Sequence, residues 1–300
     1  MGTSFDIEAS IILPSYRQKA VIFDALESVY KQEIDCSFEV IVVESSGDDT
    51  AELVQQRFPQ VRVIELPQRA FPGTARNAGI QTAKGRYLAF TDTDCIVDKK
   101  WLSSLLEAHR QGFRIVGGMV RNGTPHNLIG TLDYLLEFSD LITPYPTKDK
   151  SHFGTCNVSF DRDVFDQHGL FADQIKGSDS IYTRLLISKG EKLFHQPSAI
   201  IWHRNRTRLR KIFRNQFELG TGAAINRYKY DLQGKAFVRY PILIPLLPIV
   251  KYTAIAWRLL RNRFVEFIKF LLLSPLALAV LVVYAAGFAK GRKAIVSGQA

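Results

Sequence analysis

The stretch Tyr87-Leu-Ala-Phe-Thr-Asp-Thr-Asp94 decides how the chain is read. Tyr87–Phe90 is a short apolar run that stops on two carboxylates one residue apart. Three runs upstream, Ser10–Leu13, Phe38–Val43 and Val61–Leu66, have the same length and character, and the segments between the runs have helical length and composition. Strands alternating with helices predict βαβ units on a mostly parallel sheet. After the second run, Glu44-Ser-Ser-Gly-Asp-Asp-Thr50 forms a turn and an acidic helix start leading into Ala51–Phe58. Ligands of such open sheets sit beyond the carboxyl ends of the strands. The segments to inspect are therefore Pro14–Arg17, Glu44–Asp49, Pro67–Asn77 and Thr91–Asp94.

Asp92 and Asp94 at a strand end offer hard oxygen ligands of the kind Mg²⁺ and Mn²⁺ prefer when they share their shell with phosphates. A bare D-x-D reads equally well as a solvated turn, so its surroundings matter. Upstream stands Gly73-Thr-Ala-Arg-Asn-Ala-Gly79, suited to a helix start approaching an anion. Downstream come Gly154-Thr-Cys-Asn157, Gly177-Ser-Asp-Ser180 opening a helix, and Ile200-Ile-Trp-His203 closing a strand-like run. A P-loop is missing, and Gly220-Thr-Gly222 has Ile225 where a dinucleotide fingerprint needs its third glycine.

This order of pieces resembles the family 2 glycosyltransferases with the GT-A nucleotide-sugar-binding fold. The resemblance covers about residues 9–225 and rests on IILPSYR, VVESSGDDT, PGTARNAGIQTAKGRYLAFTDTDC, GTCNVSF, GSDSIYTRLLISKG and AIIWH in combination. It implies an α/β fold with a mostly parallel central sheet, followed by a helical membrane-associated C-terminal segment. It also implies a nucleotide-diphosphate sugar as donor and Mn²⁺ or Mg²⁺ as cofactor. Pro14, Tyr16, Arg17 and Glu44 would meet the nucleoside, and Arg76, Asn77 and Asp92 the nucleotide or its ribose. Asp94, His203 and Asp92 would hold the metal, Asp179 would serve as catalytic base, and Asn157 would lie on the acceptor side. Apart from the resemblance, the charge of a departing diphosphate asks for basic groups, and Arg204, Arg206 or Arg208, just past His203, would add to such a clamp. Two positions depart from the family's pattern. Glu44-Ser45-Ser46 replaces the acidic opening of the usual turn, which leaves base preference open, and Ser178-Asp179 stands where Glu-Asp is usual.

The chemistry asks for the same parts. Departure of a diphosphate builds negative charge that a cation stabilises, and the acceptor hydroxyl must lose a proton to a nearby carboxylate. A single in-line displacement inverts the anomeric centre; the second nucleophile of a retaining route is not identifiable. Plainer readings stand beside these roles. Asp179 also fits a helix N-cap, His203 a core histidine beside Trp202, Arg76 a carboxylate partner, and Asn157 a loop hydrogen-bonder. Trp101, Leu102, Leu105 and Leu106 have helical core spacing.

Charge is divided along the chain. Residues 201–300 hold 18 Lys and Arg against 3 Asp and Glu, whereas residues 1–200 hold 21 against 26. Such asymmetry points to nucleic acid or an anionic membrane, and the apolar stretches Tyr240–Trp257 and Phe270–Ala289 favour the membrane over nucleic acid. Positive-inside reasoning leaves a two-span hairpin and a shallow or single-span anchor equally open, because Arg258, Arg261 and Arg263 between the stretches are as basic as the flanks. Leu209, Ile212, Phe213, Gln216, Phe217 and Gly220 form a helical stripe that suits a headgroup surface or an enzyme core. The division expected is a catalytic domain at 1–230 and apolar helices at 231–300. Three scattered cysteines, Cys36, Cys95 and Cys156, and an N-terminus without an apolar run predict a reducing setting. The catalytic part is expected on the cytoplasmic face of a membrane such as the bacterial inner membrane, with a lipid-linked or glycan acceptor. Competing readings are a non-catalytic scaffold, against which Asp92, Asp94, Asp179 and His203 argue, and a nucleotidyltransferase, whose glycine-rich phosphate loop is not what Pro14-Ser-Tyr-Arg17 offers.

Overall fold

The structure is a computed structural model that describes residues 6–147, 150, 152–172 and 177–298, with the side chains of Ser178 and Asp179 outside that description. In chain order the elements are β1 (Ala9–Ser15), α1 (Ile22–Tyr30), β2 (Phe38–Glu44), α2 (Thr50–Arg57), β3 (Arg62–Glu65), α3 (Pro72–Thr82), β4 (Tyr87–Thr91) and β5 (Cys95–Val97). There follow α4 (Trp101–Arg110), β6 (Ile115–Asn122), α5 (Leu128–Phe138), β7 (Asn157–Asp161), α6 (Asp163–His168), α7 (Ser178–Ser188) and β8 (Leu193–His203). The last elements are α8 (Leu209–Lys229), α9 (Ala236–Arg239), a 3₁₀ turn (Pro241–Leu246), α10 (Leu247–Asn262), α11 (Phe264–Leu272) and α12 (Ser274–Val296).

All four predicted strands are present, and the eight strands of the described residues form one sheet in the order β3-β2-β1-β4-β7-β6-β8-β5. Parallel pairing joins β3, β2, β1 and β4, and again β6 and β8; β7 and β5 run against their neighbours. Ile11, Ile12 and Leu13 in β1, Ile41 to Val43 in β2 and Leu88 to Phe90 in β4 are fully buried, as continuous apolar runs covered on both faces must be. Trp101, Leu102, Leu105 and Leu106 of α4 are at 0% exposure, in the core as their spacing predicts.

Two compact units make up the chain: residues up to Gly123 with Pro144–His203, and Thr124–Thr143 with Arg204 onward. This division falls at 203/204, and α5 belongs to the second unit. The reason lies in α8, which reads as the last part of the catalytic domain but packs along α12. A Cβ on Gly220 would lie 2.1 Å from the Tyr284 carbonyl oxygen, and one on Gly287 would lie 2.0 Å from that of Phe217. Backbones this close admit only glycine. The apolar stretch Phe270–Ala289 is also not one helix. It breaks at Leu273, where the Ser274 hydroxyl donates to the Leu271 carbonyl and Pro275 opens α12 without a donor to need satisfying. The segments Pro241–Asn262 and Ser274–Val296, of 22 and 23 residues, are long and apolar enough to cross a membrane.

Candidate active site

The first unit gathers the carboxyl ends of β1, β2 and β4 on one side of the sheet, as parallel strands do. β4 ends in a tight turn: the Cys95 amide donates to the Asp92 carbonyl at 3.0 Å, which sends the chain back as β5. β5 pairs antiparallel with the end of β8, and in that register Cys95 lies opposite His203. The histidine, 109 residues beyond Asp94, is thereby delivered to the D-x-D turn. Its Nε2 lies 3.6 Å from Asp94 Oδ1, with the histidine side chain 8% and the aspartate side chain 32% exposed. The Gly123 amide donates to the His203 carbonyl at 2.8 Å and fixes the strand end.

Asp94, Cys95 and His203 present ligand atoms within 4.8 Å of one another. An oxygen and a nitrogen each about 2.1–2.2 Å from one ion stand roughly 3–4 Å apart, so the Asp94–His203 pair fits Mn²⁺ or Mg²⁺ with its outer side open to a substrate. Burial pushes the Cys95 thiol well above its ordinary value, and the neighbouring Asp94 adds to this. Carboxylate oxygen and imidazole nitrogen suit these ions better than sulfur, so Asp94 and His203 are the fitting donors of the three.

Asp92 sits beside this pair, held at 2.5 Å by Nη2 of Arg76 on α3. Burial raises its carboxyl; Arg76 works against the shift, Asp94 adds to it and His203 opposes it. Arg76 is 4% exposed, and its buried Nε has no partner, a cation with an unused donor beside the acidic turn. Asn77, expected at the nucleotide, is engaged elsewhere: its amide donates to the Phe171 carbonyl at 2.9 Å and accepts from the Phe171 amide at 3.1 Å. This reciprocal pair pins the segment that leads toward α7.

At the ends of β1 and β2, Glu44 is 2% exposed and its carboxylate is engaged by the loop itself. It accepts from the Ser15 and Ser46 hydroxyls and from the Ser45 and Ser46 amides at 2.9 and 2.7 Å. Expected as a nucleoside contact, it organises the wall of the loop. Asp48, one residue ahead of the N-cap Asp49, accepts from the Thr50 amide at 3.0 Å and turns the chain into α2. Pro14 ends β1 half-buried opposite Val43. Arg17 has φ +56°, a left-handed conformation costly for a side-chain residue, and its amide donates to Ser46 Oγ at 2.5 Å. The half-buried Tyr16 ring is flanked by two exposed guanidiniums, Arg17 at 5.3 Å and Arg69 at 4.8 Å from its centroid. Arg69 was not singled out in the sequence; its signal was its place in the loop after β3, at the end of a parallel strand.

Asn157, expected on the acceptor side, is fully buried inside the sheet. It accepts from Trp101 Nε1 at 2.8 Å and donates to the carbonyls of Met119 and Ala199 at 3.0 and 2.9 Å. Gly118 makes room for it, since a Cβ there would lie 2.0 Å from the Ala199 carbonyl oxygen and 2.5 Å from the Asn157 amide. With no exposure and three bonds inside the sheet, the Asn157 side chain holds β7 to its neighbours in the core. Asp179 is the second residue of α7, whose start at Gly177 turns with φ +82°; its side chain lies outside the described residues. Arg204 follows His203 directly and opens the second unit.

A mostly parallel sheet with a carboxylate–imidazole pair at its carboxyl edge suits an α/β transferase. The chain belongs to glycosyl transferase family 2, whose sequence model matches residues 10–169, and it is a glycosyltransferase. Glycosyltransferase AglE of Haloferax volcanii is 27% identical over 220 residues, covering 71% of this chain and 72% of that protein. Succinoglycan biosynthesis protein ExoO of Rhizobium meliloti is 37% identical over 102 residues, 33% of this chain and 29% of that one. Among solved structures, mannosyltransferase PcManGT of Pyrobaculum calidifontis in complex with GDP-Man and Mn²⁺ shares the fold with TM-score 0.61 at 18% identity, over 99% of this chain and 85% of that one. Residues 1–349 of TarS from S. aureus with UDP-GlcNAc give 0.53 at 15% identity, over 98% of this chain and 93% of that one.

Proposed function

We propose that the protein transfers a sugar from a nucleotide-diphosphate donor, with inversion and with Mn²⁺ or Mg²⁺, to a lipid-linked or glycan acceptor at the cytosolic face of a membrane. The observation that carries this reading is the 3.6 Å approach of His203 to Asp94 beside a carboxylate held by a buried arginine. Asp94 and His203, with Asp92 next to them, would hold the ion, whose charge would offset that of the departing diphosphate. Tyr16 offers a ring face for the base, with Arg17 and Arg69 beside it. Arg204 adds a cation to the phosphates. Asp179 takes the acceptor hydroxyl's proton as the hydroxyl oxygen bonds to the anomeric carbon and the nucleoside diphosphate leaves. The names of the similar proteins, which mention GDP-Man with Mn²⁺, UDP-GlcNAc and succinoglycan biosynthesis, support the choice of donor class and of a glycan product.

Thermal unfolding of the purified chain against a panel of nucleotide sugars tests this. With Mn²⁺ and the right donor about a hundredfold above its dissociation constant, the midpoint rises by roughly 5–10 °C. Asp94→Asn removes the Mn²⁺-dependent part of the rise. An unchanged rise in that variant would defeat the reading.

A further inference from the structure

The apolar helices of the second unit raise the question of whether they cross a bilayer, and the packing answers it. On α12 the exposed positions are Pro275, Leu278, Ala279, Val282 and Ala286, followed by Lys290 and Lys293 and, at the helix end, Val296. The outward face is thus apolar for only eleven residue steps, about 16 Å at the helical rise, roughly half of a ~30 Å hydrocarbon core. The other face of its second half is clamped to α8. Besides the Gly220–Tyr284 and Gly287–Phe217 approaches, a Cβ on Gly291 would lie 2.3 Å from the Thr221 carbonyl oxygen. α8 is a water-facing helix: it carries Arg210, Lys211 and Arg214, and the Arg214 side chain is 80% exposed with Glu218 at 3.1 Å. The part of α12 bound to it stays at the membrane surface.

α10 is tied at both ends to that same polar frame. At its start Leu247 packs in one cluster with Ala224 of α8, Val238 and Phe288. At its end Arg258 donates to Ser139 Oγ at 3.4 Å, Asn262 Oδ1 accepts from Thr143 at 3.4 Å, and Arg263 Nε donates to the Ile142 carbonyl at 3.2 Å. The segment 139–143 follows α5, and α5 is joined to the start of α8 by Glu137 with Asn215 and by the Arg206 amide to Asp133 Oδ2 at 2.9 Å. A helix whose two ends rest on one charged scaffold does not emerge on the far side of a bilayer. Between those ends Ile249, Val250, Trp257 and Leu260 are exposed, as are Ile242 and Leu246 in the 3₁₀ turn just before α10 and Phe264, Val265, Ile268 and Leu272 of α11. Lys251, early in α10, lies over the Tyr284 ring at 4.1 Å.

We infer that α10, α11 and the first half of α12 seat as a wedge within one leaflet of an anionic bilayer, with α8 and the basic end of α12 on the headgroups, and that the chain does not span the membrane. The exposed apolar face matches the depth of a leaflet, and the surplus of 15 positive charges in residues 201–300 complements anionic lipid. This seating rests on the membrane-associated reading proposed above.

Two measurements on the full chain test it. The purified protein is floated with vesicles of mixed phosphatidylcholine and phosphatidylglycerol; it rises with them, and Leu278→Asp with Val282→Asp lowers the floated fraction about tenfold. In parallel, Arg261→Cys, between α10 and α11, is produced in a Cys36→Ser background where the other two cysteines are buried. Intact bacterial spheroplasts are then treated with a membrane-impermeant maleimide. The introduced thiol is expected to react only after lysis. Labelling in intact spheroplasts overturns the one-leaflet seating and leaves the membrane reading standing. A wild-type chain that fails to float overturns both, and doubling of its mass in solution would make a second copy the occupant of the apolar face.

Discussion

His109 shows how much a single buried polar residue can commit the fold to one protonation state. Its ring stacks on Tyr87 with centroids 4.4 Å apart, Nδ1 faces the Phe113 carbonyl at 2.7 Å and Nε2 faces the Ser159 hydroxyl at 2.7 Å. A carbonyl only accepts, so Nδ1 carries the proton and Nε2 is left to accept from the serine, which is the neutral ring. Burial pushes the imidazole down to about 4 from its ordinary 6.5. The unfolded chain gains a proton at this residue below pH 6.5 while the folded chain does not, so the stability due to neutral His109 is complete above 6.5. It drains away as pH falls to about 4, by about 3 kcal/mol in all. His109→Gln keeps a donor and an acceptor without a titrating group. Denaturant unfolding at a series of pH values should therefore show the stability gap between the two proteins shifting by that amount across the window. A gap that stays constant would mean the ring titrates normally.

At the scale of elements, the contact between α8 and α12 rests on glycines rather than on large side chains. Gly287→Val inserts atoms where the first of them already lies 2.0 Å from the Phe217 carbonyl oxygen, so one helix must move. The expected loss is at least about 1–3 kcal/mol, typical of overpacking, read as faster proteolysis within residues 204–298. Ala286→Val, on the exposed side of the same helix, should leave proteolysis unchanged, and equal sensitivity of both would contradict the packing. This contact also explains what the sequence could and could not disclose. The four strand runs and the core spacing of α4 were legible because burial imposes a period on neighbouring residues. The D-x-D was legible because a strand end exposes it. The internal bonds of Asn77, Asn157 and Glu44 were not legible, because their residue types suit a ligand as well as they suit a buried backbone. Only the three-dimensional register shows that Phe171, Met119 with Ala199, and the Ser45–Ser46 turn already use them. Gly220 stood on the stripe of α8, but its partner, about sixty-five residues further on, was not legible.

Across the whole molecule, the Asp94–His203 pair draws on the ends of β4 and β8, which the sheet order and the β5–β8 register bring to one edge. Residues 77 and 171, joined by the reciprocal amide pair, tie α3 to the stretch that precedes α7. This coupling makes the proposed division of labour testable, since the donor side and the proton acceptor come from different parts of the chain. If Asp179 acts only while the acceptor loses its proton, Asp179→Asn lowers the rate of transfer by about 10²–10⁴-fold and leaves donor binding within about threefold of wild type. Asn77→Ala, by contrast, removes both bonds to the Phe171 backbone and weakens folding together with transfer. Calorimetric titration of the donor alongside turnover separates the two cases. Parallel loss of binding and turnover in Asp179→Asn would assign that aspartate to capping α7, and the proton would then need another acceptor.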